Sequence, residues 1–285
     1  MVAELKPAVC LRLLSSVDDC RACVELQRDV WGWDQADIVP ATLLHVVDYV
    51  GGLVAGAFDP NSILLGFVFG ITGIRDGEIV HWSHMLGVRE AARNMGVGRM
   101  LKEYQRRVLA ERGVARIYWT FDPLQAKNAY FNLNRLGAQV VEYVPDMYGV
   151  TGSPLHLGLA TDRLVVCLST AARNWTGVTP PLTPPGDHGV PILTSFARPS
   201  DRTVTTGEQR PPMALLEIPR DVLADIDRSP AVVRSWRMSV REYFMWALKH
   251  GYTVRGVHRN TTSGRSFYVL VRDPRSPSGG SDVRT

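Results

Sequence analysis

Cysteine is scarce. Four occur in 285 residues, and only Cys20 and Cys23 stand at a spacing that metal or disulfide chemistry uses. No second Cys-x-x-Cys and no paired histidines follow them. Neither a metal site nor a disulfide framework is therefore expected, and a reducing, cytoplasmic setting fits. Long apolar runs are also missing. The longest candidate, 51–74, is broken by Asp59, Pro60, Asn61 and several glycines, short of the ~18–20 residues a membrane span needs. The first ten residues carry an acid and no apolar core, so no secretory signal is expected. A strong charge of one sign is lacking: the net is +4, with 45% hydrophobic and 21% charged residues, values that exclude wholesale disorder. A chain of this size buries roughly 70–75% of its unfolded surface and needs no staples. The basic excess is local: residues 1–213 carry a net −1 and residues 214–285 a net +5. No module that interleaves basic with exposed aromatic residues is present, so no nucleic-acid partner is expected.

What is present is an alternation of strands and helices. A strand is expected at 8–15. A helix follows at Val17–Gln27, with Ser16 as its N-cap, Cys20 among its small apolar residues, and the 3–4 spacing of an amphipathic stripe. A second helix is expected at 41–49. The runs 52–58 and 63–73 flank Asp-Pro-Asn and read as a hairpin. A third strand spans Glu78–Val88, and a strong helix spans Gly96–Arg112, with Met100, Leu101, Tyr104, Val108 and Leu109 on its apolar face and Gly113 closing it. A strand at 114–121, a helix at 125–136 and strands at 138–144 and 163–168 complete this part. Eight prolines within 171–212 mark a linker or an extended crossover. A strand at 214–218, a helix at 230–250 and a hairpin of 252–259 with 266–272 come after it. The tail 273–285 reads as disordered. Leu136-Gly137-Ala138 and His250-Gly251-Tyr252 echo each other as helix–Gly–strand junctions. The later stretch is thus either an independent addition or a degenerate copy of the earlier one.

The stretch that carries chemistry is the strand 78–88 running into Arg93-Asn94-Met95-Gly96-Val97-Gly98 at the start of the long helix. Backbone N–H groups at a helix N-terminus are unsatisfied and carry partial positive charge. Glycines let a pyrophosphate approach that backbone without a Cβ in the way. Arg93 and Arg99 can add charge-assisted hydrogen bonds. Arg89, Lys102, Arg106 and Arg107 extend the cluster, either as a polyanion-binding patch or as a solvated helix face. The pattern is neither a dinucleotide fingerprint nor a Walker loop, since its first element is Arg rather than Gly, no acidic residue stands ~20 residues later at a strand end, and no Gly-Lys-Ser/Thr follows.

At these residues the chain resembles the GNAT superfamily of acyl-CoA N-acyltransferases, whose motif is Gln/Arg-x-x-Gly-x-Gly/Ala after a central strand. The resemblance covers about residues 8–170. It is nearest a bacterial branch carrying the run Trp119-Thr-Phe-Asp-Pro-Leu-Gln-Ala-Lys-Asn-Ala-Tyr130, here with a C-terminal extension. It implies an α/β (α+β) fold with a splayed mixed sheet flanked by helices. The implied organisation is an acyl-CoA-binding domain at 8–170, the Pro-rich segment 171–212, a small α/β segment at 213–272 and the tail. The implied co-substrate is acetyl-CoA or another acyl-CoA such as succinyl-CoA, with no metal. Its pyrophosphate would meet Arg93, Asn94, Met95, Gly96, Val97, Gly98 and Arg99. Its pantetheine arm would pair with Met85, Leu86, Gly87 and Val88, with Asn128 nearby.

Acyl transfer to an amine requires removal of a proton from the ammonium and stabilisation of the departing thiolate. By the resemblance, His84 on the central strand is the leading base, since a neutral imidazole near pH 7 suits that task. The alternative reading is a satisfied, half-buried histidine. His81 and Glu78 lie further along the strand. Asp122 would face the same cleft, or else serve as a turn residue before Pro123. The family's usual tyrosine falls on Leu133, so Tyr130 or Tyr148 takes its place as general acid, or the thiolate leaves unassisted. Trp31 and Trp33 are candidates for acceptor contact, and Trp119 for a pocket wall; core packing is the ordinary alternative. The expected acceptor is a small-molecule amine, an amino acid being one class, with no membrane partner. Residues 213–272 could extend the sheet, cover the acceptor site or pair two chains as a homodimer. A catalytically silent module that binds CoA or a partner is the rival function.

Overall fold

The computed structural model describes residues 9–32, 38–149, 160–171, 190, 192–193, 211–222 and 229–272. Trp33, most of 171–212 and the tail 273–285 lie outside them. The described residues form two compact units. The first holds 9–32, 38–119 and 167–171, and the second holds the rest. The division thus falls after Trp119 and again before Cys167, and the described residues 120–149 and 160–166 group with the C-terminal segment.

The first unit contains β1 (Cys10–Leu13), α1 (Val17–Trp31), α2 (Ala41–Tyr49), β2 (Leu53–Phe58), β3 (Leu64–Arg75), β4 (Glu78–Val88), α3 (Val97–Glu111) and the start of β5 (Arg116–Phe121). The strands lie in the order β1-β2-β3-β4-β5. β1 to β4 are antiparallel, and β5 runs parallel to β4. Ser16 caps α1 as its sequence position predicts, its Oγ accepting the Asp19 N–H at 3.0 Å. α1 and α2 bury Cys20, Cys23, Leu26, Leu44 and Val47 against Val54, Phe58, Leu64, Phe67 and Phe69 of β2 and β3. Each large side chain so buried contributes roughly 1.5–3 kcal/mol. Burial pushes the Cys20 and Cys23 thiols up, so both act as small apolar residues. Gln27 is buried in the same layer because its amide imitates a strand partner. It accepts the Val39 N–H at 2.8 Å and donates to the Val39 carbonyl at 3.1 Å.

The second unit contains the end of β5, α4 (Ala126–Ala129), β6 (Gln139–Val144), the start of β7 (Arg163–Ser169), β8 (Ile192–Leu193), β9 (Met213–Ile218), α5 (Pro230–Lys249), β10 (Tyr252–Arg259) and β11 (Ser266–Arg272). The helix expected at 125–136 changes character halfway. After α4 the chain widens into a π-helical turn over Tyr130–Arg135, where the Leu136 N–H reaches back to the Phe131 carbonyl at 2.9 Å. β7 lies between β5 and β6, and β11 lies between β9 and β10. The two stretches therefore share one strand–helix–strand–strand order with the last strand inserted in the middle. Gly137 and Gly251 take the same place in each, both at positive φ. The C-terminal segment shares its core with the stretch before it. Phe244 of α5 stacks on Tyr143 (centroids 5.3 Å apart) and meets Tyr268 edge-on (5.0 Å). The Tyr268 hydroxyl donates to the Pro123 carbonyl at 2.8 Å.

Candidate active site

β4 is paired on both sides only over part of its length. Its antiparallel ladder with β3 runs from Glu78 to Val88, whereas its parallel ladder with β5 covers Val80–Trp82 against Arg116–Tyr118. Beyond Trp82 the two strands part, which is the splay the resemblance implies. A register shift opposite Phe69 and Gly70 leaves His84 as an extra residue between Ser83 and Met85. Such a bulge re-aims side chains. His84 is exposed here, with its ring edge-on to Phe69 at 5.9 Å.

The turn after β4 opens α3 as expected. Asn94 and Gly96 both take positive φ (65° and 87°). Only glycine adopts this conformation at no cost, which explains the first glycine of the motif. The first helical bond runs from the Met100 N–H to the Gly96 carbonyl (3.0 Å), so the N–H groups of Val97, Gly98 and Arg99 precede it. No side chain caps this end, and no acid lies in its first turn. The site therefore combines free N–H donors, the positive end of a helix and the exposed Arg93.

The rest of the basic cluster is largely engaged within the protein. Arg99 pairs with Glu103 at 2.7 Å. Arg89 donates to the Leu64 carbonyl at 2.8 Å and pairs with Asp29. Arg106 donates to the Thr170 carbonyl at 2.9 Å. Lys102 is neither a solvated residue nor part of a patch: it is 5% exposed. The buried face of α3 is Val97, Leu101, Lys102, Gln105 and Leu109, rotated from the stripe that apolar spacing predicts.

The cause of that rotation is a buried polar chain that the sequence reading missed. Lys102 Nζ donates to Ser83 Oγ at 2.7 Å and to Gln105 Oε1 at 3.2 Å, and it sits 4.1 Å from the centre of the Trp119 ring. The Gln105 amide nitrogen lies 3.2 Å from His81 Nε2. An amide N–H can only donate, so Nε2 accepts and Nδ1 carries the hydrogen. Nδ1 then donates to Thr72 Oγ1 at 3.0 Å, and Thr72 donates to the Gly51 carbonyl at 3.0 Å. Gly70 makes room for the imidazole: a Cβ there would lie 2.2 Å from His81 Nε2. Burial, then the charges of Lys102 and Arg112, push His81 down to about 3, and burial pushes Lys102 down to about 7.

Of the aromatic candidates, Trp31 and Trp119 lie within the described residues. Trp31 meets Phe67 edge-on at 6.0 Å and joins the α1–α2 core, and Trp119 is 5% exposed.

In the second unit, Asp122 is gripped by Arg237 of α5 through two bonds of 2.7 Å, and its Oδ1 also accepts the Leu124 N–H at 2.8 Å. The turn-residue reading thus describes its contacts, with a buried ion pair added. Next to this pair, Asp162 accepts from Tyr143 at 2.6 Å and pairs with Arg241, and hydrogen bonds to Arg241 and Tyr143 hold its carboxyl low against its burial. Tyr130 is half-buried, with Arg259 4.7 Å and Arg135 5.8 Å from its ring centre. Leu133 is fully apolar and 2% exposed. The Tyr148 hydroxyl lies 3.2 Å from Thr120 Oγ1. Asn128 is exposed and donates to Gln125 at 3.1 Å. Among the described residues no cluster of three or more His, Cys, Asp or Glu could hold a metal ion, and no helix is long and apolar enough to cross a membrane.

No protein-family model matches the sequence, and no curated protein matches it. Among solved structures, the chain is similar to the ribosomal-protein-S18-alanine N-acetyltransferase from Escherichia coli: 15% identity, TM-score 0.46, covering 59% of this chain and 97% of that one. It is similar to aminoglycoside 6'-acetyltransferase type Ii at 19% identity and TM-score 0.45, covering 59% and 99%. It is likewise similar to an acetyltransferase of the GNAT family from Streptococcus pneumoniae at 12% identity and TM-score 0.46, covering 57% and 99%.

Proposed function

We propose that this chain is an acyl-CoA-dependent N-acyltransferase that transfers an acetyl or larger acyl group, such as succinyl, to a small amine, an amino acid being one class. The observation that carries this reading is the uncapped N-terminus of α3, opened by Arg93-Asn94-Met95-Gly96-Val97-Gly98 directly after a strand that parts from its neighbour. The N–H groups at Val97, Gly98 and Arg99, together with Arg93, suit a pyrophosphate. Met85–Val88 lie beyond the end of the β5 ladder, where an extended arm has backbone to pair with.

The transfer is direct. The amine nitrogen forms a bond to the thioester carbonyl carbon, the carbon–sulfur bond breaks, and the thiol leaves. His84 is the favoured base because it is exposed on the β4 bulge. His81 is unsuited, since both ring nitrogens are already bonded in a buried chain. Asp122 is a weaker candidate while Arg237 holds both of its oxygens. Tyr130, close to two arginines, remains the candidate acid. One observation favours the rival reading of a silent CoA-binding module: Leu133 occupies the position where the family places its tyrosine.

Thiol release from acetyl-CoA and succinyl-CoA against a panel of amino acids and simple amines tests the reading. Amine-dependent release that falls at least ~100-fold in His84→Gln, the lower bound for loss of a general base, supports the enzyme. Binding of CoA without release from any amine supports the silent module.

A further inference from the structure

The last bridged pair between β4 and β5 is Trp82 with Tyr118. The next residue on each strand is Ser83 and Trp119, and Lys102 touches both. Its Nζ donates to Ser83 Oγ at 2.7 Å and lies 4.1 Å from the Trp119 ring centre. Where backbone hydrogen bonds stop joining the strands, one side-chain ammonium from α3 takes over.

An ammonium buried with no carboxylate bonded to it is costly to keep. A methionine of similar length would fill the same space without that cost. What methionine would lack is direction: a hydrogen bond to one strand and a cation–π contact to the other. Lys102 is itself held in place. Gln105 accepts its second hydrogen bond, and Gln105 is fixed in turn by His81, Thr72 and the Gly51 carbonyl. Each side chain in this chain is hydrogen-bonded to the next, and together these bonds favour one orientation of the lysine head.

We propose that Lys102 is a positioning residue for acyl transfer, setting the separation of Ser83 and Trp119 at the point where β4 and β5 part to admit the thioester arm. The proposal rests on the acyltransferase reading and adds a residue to it. Lys102 meets neither acyl group nor amine; it acts through the two strands.

The test is acetyl-CoA binding by calorimetry, alongside thermal melting of the unliganded protein, for wild type, Lys102→Met, Trp119→Leu and the double variant. Lys102→Met is expected to melt no lower than wild type and to bind acetyl-CoA about tenfold more weakly. The double variant should bind no more weakly than Trp119→Leu alone, because both changes remove the same contact. Lys102→Arg, which keeps a cation over the ring, should recover most of the affinity. A Lys102→Met variant that binds as wild type does overturns the proposal. So does one whose loss of binding merely follows a loss of melting temperature, or a double variant whose losses add. Failure of wild type itself to bind acetyl-CoA overturns the acyltransferase reading, which is a different result from any of these.

Discussion

Mild acid should cost this protein stability through a single buried imidazole. His81 is fully buried, and its ring nitrogens are fixed as one donor, to Thr72, and one acceptor, from Gln105. A second ring proton would point at the Gln105 N–H, with Lys102 close behind it. Folding lowers the His81 pKa from 6.5 to about 3. The unfolded chain therefore takes up a proton as pH falls through about 6.5, while the folded chain resists until about pH 3. The stability from this group is complete above pH 6.5 and is lost as pH falls toward 3. Between pH 7 and 4.5 the loss covers two pH units, or about 2.7 kcal/mol at about 1.36 kcal/mol per unit. Against a total of about 5–15 kcal/mol for a typical domain, that is readily measured. Urea titrations at the two pH values, for wild type and His81→Gln, isolate the group. The amide keeps a donor and an acceptor but does not titrate. Wild type should lose about 2.7 kcal/mol more than the variant. Equal acid losses in both proteins would refute the neutral, double-bonded imidazole.

Two further outcomes follow from the second unit. Asp122→Ala should cost about 3–5 kcal/mol in urea unfolding, because it strands Arg237, whose side chain is 6% exposed. Asp122→Leu/Arg237→Met should cost clearly less than the two single changes summed, which a double-mutant cycle reads directly. Asn134→Ala should cost about 2–4 kcal/mol, since the Asn134 amide accepts the Val257 N–H and donates to the Val257 carbonyl, and both would be left unpaired. Hydrogen exchange at the Val257 amide should rise in that variant.

Local signals made most elements legible. Asp59 accepts the Asn61 and Ile63 N–H groups at the turn expected between β2 and β3, and the glycines at 96, 113, 137 and 251 mark helix boundaries through positive φ. The loop that opens α3 was legible for the same reason, because its chemistry lies in consecutive residues. The bulge at His84 was not. It arises from the register of β4 against β3, which periodicity within one strand does not encode. Nor was the buried face of α3. Lys102 read as part of a basic patch or a solvated face, and only Ser83, Trp119 and His81, arriving from two other elements, bring it and Gln105 into a buried chain. At Asp122 the turn role was legible from Pro123, whereas the arginine that holds it, 115 positions away, was not. Polar residues change role when a distant partner satisfies them, and spacing along the chain carries no record of that.

On the proposed function, the turn opening α3 binds the pyrophosphate of an acyl-CoA. Thermal melting with acetyl-CoA, succinyl-CoA, CoA, ATP and NAD tests it most directly, in wild type and in Arg93→Glu/Gly96→Glu. A ligand at about 100 times its dissociation constant adds about 2.7 kcal/mol to the folded state. The expected result is a clear upward shift with the CoA species in wild type, little with ATP or NAD, and none in the variant measured against its own unliganded melt. An equal shift in wild type and variant, or no shift with any CoA species, would contradict it.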